Sequence, residues 1–210
     1  ENKAKVGYIK IPSFYSDEEG SNNLSNDVAR EIIKLQEDKV DGIIIDLDNN
    51  GGGSITEAIK MVGMFIDIGP VALVHDKYNN IETLKDFNRG VVYSGPIVVI
   101  VNGFSASASE FFANAIQDYN RGIIIGNETY GKASTQSIIP FEDSYENKDF
   151  IKITGQKFHR ITGKSHQNTG LIPDVKLPLL FQNFMPKESN YKHVLANDSI
   201  VPKLSFKKYN

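Results

Sequence analysis

No cysteine occurs among the 210 residues, so no disulfide contributes to stability. Because exported proteins can also lack disulfides, the redox compartment stays open. No apolar run reaches membrane-spanning length, and the opening residues ENKAKVGYIKIP read as neither a signal peptide nor a membrane anchor. An excess of one charge is missing too: 23 Lys and Arg against 26 Asp and Glu leave a formal net charge of −3, without the electrostatic footprint of a nucleic-acid binder. The 4 histidines are scattered with no short pairing, which argues against a metal site, and no cofactor is expected. No internal repeat or low-complexity tract stands out. What is present is a 40% hydrophobic content, enough for one sizeable core with an appended tail.

Hydrophobic periodicity gives an alternating α/β order. Residues 5–11 read as a strand, with Gly7, Ile9 and Ile11 on one face and Val6 and Tyr8 on the other. Leu24, Val28, Ile32 and Leu35 mark a helix that ends before Asp41 and Gly42, and residues 43–47 form a buried strand. After glycines 51–53, Ser54 with Glu57 makes a capping box opening a helix that turns Ile55, Ala58, Ile59, Val62 and Phe65 inward. Residues 71–75 and 97–102 are further strands, separated by a polar hairpin or excursion at 76–90. Residues 150–154 and 156–161 suggest an antiparallel pair around Gly155. Beyond Pro178 the chain turns polar, with Pro186 and Pro202 breaking any long element, so residues 181–210 are expected to lie as an irregular extension over a core of residues 1–180. Strands alternating with helices predict a mixed sheet with layered helices.

The chemistry concentrates in residues 101–136, VNGFSASASEFFANAIQDYNRGIIIGNETYGKASTQ. Ala108, Phe111, Phe112, Ala115, Ile116 and Tyr119 recur at the spacing of one buried helical face, which puts the helix entry at Ser107. Ser107 with Glu110 fits a capping box, an ordinary way to open a helix. The same place suits a nucleophile, because unpaired N–H groups and the positive end of the helix dipole would stabilise an oxyanion beside the serine. These residues alone leave both readings open. Lys132 follows the short buried strand at 123–125, at a sheet edge where ligands of open α/β folds bind. As a solvated turn residue it needs no function; as a base it would have to be neutral, the form that burial favours. Glycines 51–53 likewise either permit a tight turn or let backbone amides approach a bound carbonyl.

Two other motifs compete. GNETYGK, residues 126–132, fits the GxxxxGK core of a phosphate-binding loop, and IIID ending at Asp46 imitates a Walker B strand. Ala133, however, lacks the hydroxyl that would ligate magnesium, and STQSIIPF is poor helix sequence where that loop needs a helix N-terminus. A Ser/His/Asp triad drawing on His75, His159, His166 or His193 is weakened because GFSAS lacks the second glycine of the GxSxG elbow.

FSASASE, QDYNR, GKAST followed by Gln136, and the upstream IIIDLDNNGGGS together resemble the C-terminal processing, or tail-specific, serine proteases, in the family's order and over residues 5–180. The resemblance implies a ClpP/crotonase-like ββα core in which Ser107 is the nucleophile, Lys132 the general base and Gln136 the residue that orients the lysine. The backbone N–H groups of Gly53 and Ala108 would form the oxyanion hole, with Gly52 supporting that turn. Asp118, about 16 Å along the helix from Ser107, is expected to be structural, paired with Arg121 or holding the turn that carries Lys132.

Peptide hydrolysis through an acyl-enzyme is implied, without metal or cofactor, on unfolded or tagged proteins with apolar C-terminal residues. So is a periplasmic or cell-envelope location, its address absent from this chain. Relatives place a PDZ domain before the core. No room for one is found here, so an isolated core is expected, cut from a longer protein or naturally short. Ala133 stands where the family usually has a second glycine and Asp48 where an arginine is common, leaving room for altered substrate choice or weaker activity. The rival on the same fold is a catalytically silent module that binds apolar ligands or extended peptides.

Overall fold

The computed structural model describes residues 3–17, 22–141, 149–178 and 184–210. Five strands, β1 (Val6–Lys10), β2 (Gly42–Asp46), β5 (Ile97–Val101), β6 (Ile123–Gly126) and β9 (Val175–Lys176), form a parallel sheet in that order. A second, antiparallel sheet runs β4 (Ile81–Asp86), β3 (Gly69–Asp76), β8 (Phe150–His159), β7 (Ser134–Pro140). Helices α2 (Ile55–Gly63) and α3 (Ala108–Asp118) pack on each other and reach elements of both sheets, while α1 (Leu24–Glu37) lies against β1 and α2.

The strand period of two sorts the parallel sheet into two faces. Ile45, Val99 and Ile124 stand side by side in register and are fully buried toward the helices. The alternate row of Tyr8, Ile44, Val98 and Ile123 faces outward, with Tyr8 and Ile123 exposed. Gly7 belongs to the inner face because Leu35 of α1 sits where a Cβ would project. Phe112 of α3 anchors the core between Phe14 and Phe65, at ring-centroid distances of 6.5 and 6.0 Å. Each such buried side chain contributes about 1.5–3 kcal/mol.

Local signals explain the helix entries. Asn23 caps α1 by accepting the Asn26 N–H, and Ser54 caps α2 by accepting the Glu57 N–H at 3.3 Å. The reciprocal half of the second capping box does not form as expected. The Ser54 N–H goes to Phe14 O, and the Glu57 carboxylate instead takes the Ser25 N–H and Lys60.

Of the remaining expectations, some hold and others change. Residues 76–90 do make a hairpin, its turn tied by Asp76 accepting the N–H groups of Tyr78 and Asn80, with β4 returning along β3. Gly155 does not break a strand pair, since β8 runs through it, pairing first with β7 and then also with β3. Residues 134–140, read only as poor helix sequence, are β7 itself. The extension from 184 to 210 is irregular apart from a 3-10 turn at Glu188–Asn190, but it is not loosely laid. Leu204 and Phe206 pack on the core, and Phe206 meets Tyr119 at 5.3 Å.

Candidate active site

The turn between β2 and α2 is built around Asn50, which is fully buried. Its side-chain N–H donates to Ile11 O at 2.8 Å, its Oδ1 accepts the Gly52 N–H at 2.9 Å, and its carbonyl accepts the Ala106 N–H at 3.0 Å. That pins the glycine turn against the loop leading into α3. At Gly52, with φ +101°, an added Cβ would stand 2.7 Å from Ala106 O and 3.0 Å from Ala108 N. Gly53, at φ +141°, bridges to Phe14 through its neighbours: Phe14 N–H donates to Gly52 O, and Ser54 N–H donates to Phe14 O. Among the described residues no hydrogen bond takes up the N–H of Gly53 or that of Ala108.

The three serines of SASAS are distinguished by their surroundings. Ser105 and Ser109 are fully buried, and their hydroxyls donate to Leu47 O and Asn50 O, each at 2.8 Å. Ser107 is half-buried, and its backbone holds φ +56° and ψ −112°, a conformation that strains any residue with a Cβ. The capping box predicted with Glu110 is present. Its strong half is the Ser107 N–H donated to Glu110 Oε2 at 2.9 Å, and the Ser107 hydroxyl makes no cap hydrogen bond of good geometry.

Glu110 does much more than cap. Its carboxylate, with no exposed surface, also accepts the Lys132 N–H on Oε2 at 2.9 Å, the Gly131 N–H on Oε1 at 2.7 Å and the Thr129 hydroxyl. Ser107 and Lys132 therefore share one oxygen through their backbone nitrogens, although 25 positions separate them in sequence. The remaining polar groups around Lys132 are also engaged. Its carbonyl faces His166 Nε2 at 3.3 Å, and the next N–H, of Ala133, donates to Gln167 Oε1 at 2.8 Å. Asn114 Nδ2 meets His166 Nδ1 at 3.1 Å, so the proton on this imidazole belongs on Nε2. Burial pushes the His166 pKa below its ordinary value, against the opposing pull of Glu110.

Lys132 Nζ donates to Gln136 Oε1 at 3.3 Å. Among the described residues no hydrogen bond joins it to Ser107. Asp118 is buried as a structural residue, but its partner is Arg160, whose Nε lies 3.0 Å from Oδ1, and not Arg121. Burial raises the Asp118 pKa in spite of that guanidinium. Arg121 instead donates to Phe65 O, Tyr93 O and Gly95 O, where its fork holds three loop carbonyls. Asp48, where the pattern favours arginine, has its pKa raised by burial and by Asp46. The phosphate-loop alternative fails structurally, because the chain after Lys132 enters strand β7 and no helix N-terminus follows.

The structural roles of Asn50, Thr129, His166 and Gln167 had no signal in the sequence. Each is a polar residue in a turn or loop, and its burial depends on distant segments.

The model of peptidase family S41 matches residues 5–177. The chain belongs to this family. It is 39% identical over 199 residues to the tail-specific protease of Haemophilus influenzae, covering 93% of this chain and 28% of that protein. It is 35% identical over 179 residues to a probable CtpA-like serine protease of Staphylococcus epidermidis, covering 84% of this chain and 34% of the relative. The chain thus spans about a third or less of these relatives' lengths. Among solved structures, the photosystem II D1 C-terminal processing protease superposes with a TM-score of 0.71 at 27% identity, over 82% of this chain and 42% of that one. An S41 protease from Bacteroides fragilis shares the fold, with a TM-score of 0.67 at 21% identity. These likenesses bear out the ββα protease core expected from the sequence.

Proposed function

We propose that this S41 chain is the catalytic core of a serine endopeptidase in which Ser107 attacks the scissile carbonyl and Lys132 is the general base. The single observation that carries the reading is the difference among the three serines: Ser105 and Ser109 donate their hydroxyl protons to backbone carbonyls, while among the described residues the Ser107 hydroxyl, facing the Glu110 N–H at the head of α3, donates its proton to no carbonyl. Its φ of +56° is the kind of strain found where a nucleophile is held at a sharp turn.

In the reaction, Lys132 Nζ takes the Ser107 proton as Oγ bonds to the carbonyl carbon. The oxyanion is received by the N–H groups of Gly53 and Ala108. Collapse breaks the C–N bond, and the lysine returns the proton to the leaving amine. Water then attacks the acyl-serine, giving up a proton to the same lysine and freeing Ser107. Gln136, already bonded to Nζ, keeps the amine from swinging into solvent. The substrates proposed are unfolded or tagged polypeptides with apolar C-terminal residues, met in the periplasm or cell envelope, with a PDZ domain in the full-length protein to capture them.

A peptide-binding module without catalysis is the second reading. The observation favouring it is that Lys132 Nζ bonds Gln136 and not Ser107. Catalytic hydrogen bonds often close only around substrate. Incubation with an unstructured polypeptide ending in apolar residues, beside Ser107→Ala and Lys132→Ala, separates the readings. Cleavage by the parent alone, increasing with pH as an amine loses its proton, supports the protease. Binding by all three proteins with cleavage by none refutes it.

A further inference from the structure

The backbone on either side of Lys132 is held by two separate devices. Glu110 grips the N–H groups of Gly131 and Lys132 from the helix side. From the opposite side comes the loop 165–170. Asn168 N–H donates to Gly131 O at 2.8 Å, and the fully buried Gln167 accepts the Ala133 N–H at 2.8 Å. Gly131 takes φ +95°, and a Cβ there would stand 2.9 Å from Gly170 N, so the two segments are packed backbone to backbone.

That loop is itself gripped from outside by the C-terminal extension. Asn197 Nδ2 donates to Gln167 O at 2.6 Å and to Ser165 O at 3.3 Å, and Asn168 Nδ2 donates to Leu195 O at 2.8 Å. Ile200 N–H donates to Gly163 O at 2.9 Å, and Asp198 pairs with Lys157 and His159, each at 2.9 Å. The path from Asn197 through Gln167 to the residue after Lys132 is continuous and has no exposed link at its centre.

We infer that Gln167 is a positioning residue for Lys132, and that residues 195–200 act as a strap whose Asn197 keeps Gln167 in place. The inference rests on the reading of Lys132 as the base. Its physical basis is the short tether: Ala133 is adjacent to Lys132, so losing the Gln167 acceptor leaves a buried N–H unpaired and lets the chain seek another partner. A base displaced by about 1 Å can cost up to about a hundredfold in rate.

The test compares the parent with Gln167→Leu, Gln167→Glu and Asn197→Ala, reading kcat and KM on the same unstructured polypeptide and hydrogen exchange at the Ala133 amide. Gln167→Leu keeps the volume and removes the acceptor. It is expected to lower kcat at least about tenfold with KM within about twofold, and to speed exchange at Ala133. Gln167→Glu, neutral in a buried site and so retaining a carbonyl acceptor, regains much of the lost kcat. Asn197→Ala, further from the base, gives a smaller loss of the same kind. Parental kcat in Gln167→Leu, or a loss that Gln167→Glu does not restore and that follows the folded fraction, overturns the positioning role. Unchanged exchange at Ala133 in Gln167→Leu overturns the clamp itself. A parent that never cleaves overturns the assignment of Lys132 as base, and with it the catalytic meaning of the clamp, whatever exchange shows.

Discussion

Glu110→Gln is the perturbation that the structure prices most directly. One carboxylate accepts three backbone N–H groups, from Ser107, Gly131 and Lys132, together with the Thr129 hydroxyl. An amide has only one acceptor oxygen, so its nitrogen must face either Oε2's pair, Ser107 and Lys132, or Oε1's pair, Gly131 and Thr129. The second orientation wins, because the Thr129 hydroxyl can rotate to accept whereas a backbone N–H cannot. Gly131 is then left with an unsatisfied buried N–H, costing about 1–3 kcal/mol, and the two bonds to Ser107 and Lys132 fall from charge-assisted to neutral strength, about another 1 kcal/mol. A total of about 3 kcal/mol, at about 2–4 °C per kcal/mol for a chain of this size, lowers Tm by about 6–12 °C. Since stabilities run at about 5–15 kcal/mol, the variant still folds at room temperature. Its turnover, measured well below the new Tm, is expected to fall because the proposed nucleophile Ser107 and the proposed base Lys132 both hang from this side chain by their backbone N–H groups. Thermal unfolding by circular dichroism and cleavage of an unstructured polypeptide are the assays. A Tm within about 2 °C of the parent, or undiminished turnover, would refute the shared-oxygen reasoning.

Two other outcomes are expected. Gly52→Ala places a Cβ against Ala106 O and Ala108 N at φ +101°, adding about 1–2 kcal/mol of backbone strain to the clash. It should abolish cleavage while leaving a folded protein by circular dichroism, and retained activity would show that the turn does not serve the oxyanion. For pH, His159 and His166 are both held below the ordinary histidine pKa by burial. Below the unfolded value of about 6.5, the unfolded chain takes up protons that the folded chain does not. Their stabilisation is therefore complete above that pH and is lost as pH falls. Tm should drop between about pH 7.5 and about pH 5.5, and a flat or rising Tm over that window would contradict the neutral burial of the two rings.

How much was legible in the sequence divides along contact distance. The entries of α1, α2 and α3, the strands β1, β2, β5 and β6, and the serine at the head of α3 all follow from periodicity and capping within a few residues. Neither β7 nor the continuity of β8 through Gly155 is legible locally, because their strand character comes from pairing with each other and, for β8, with β3, which no short window of sequence contains. Of the two roles open to Asp118, pairing with Arg121 or holding the turn that carries Lys132, the pairing is overturned, since the fold brings Arg160, 42 positions away, to it.

By itself, then, the sequence determined which short segments would be helix or strand and which serine and lysine stood at their ends. Periodicity and capping act over one or two turns of chain. Only the tertiary structure decided that Glu110 joins Ser107 to Lys132, that Ser105 and Ser109 are committed elsewhere, and that Gln167 and Asn197 hold the lysine turn from outside. Apart from the local Ser107–Glu110 bond, those hydrogen bonds join groups 22 to 59 positions apart in sequence, and a buried polar group finds such a partner only once the surrounding chain has excluded water.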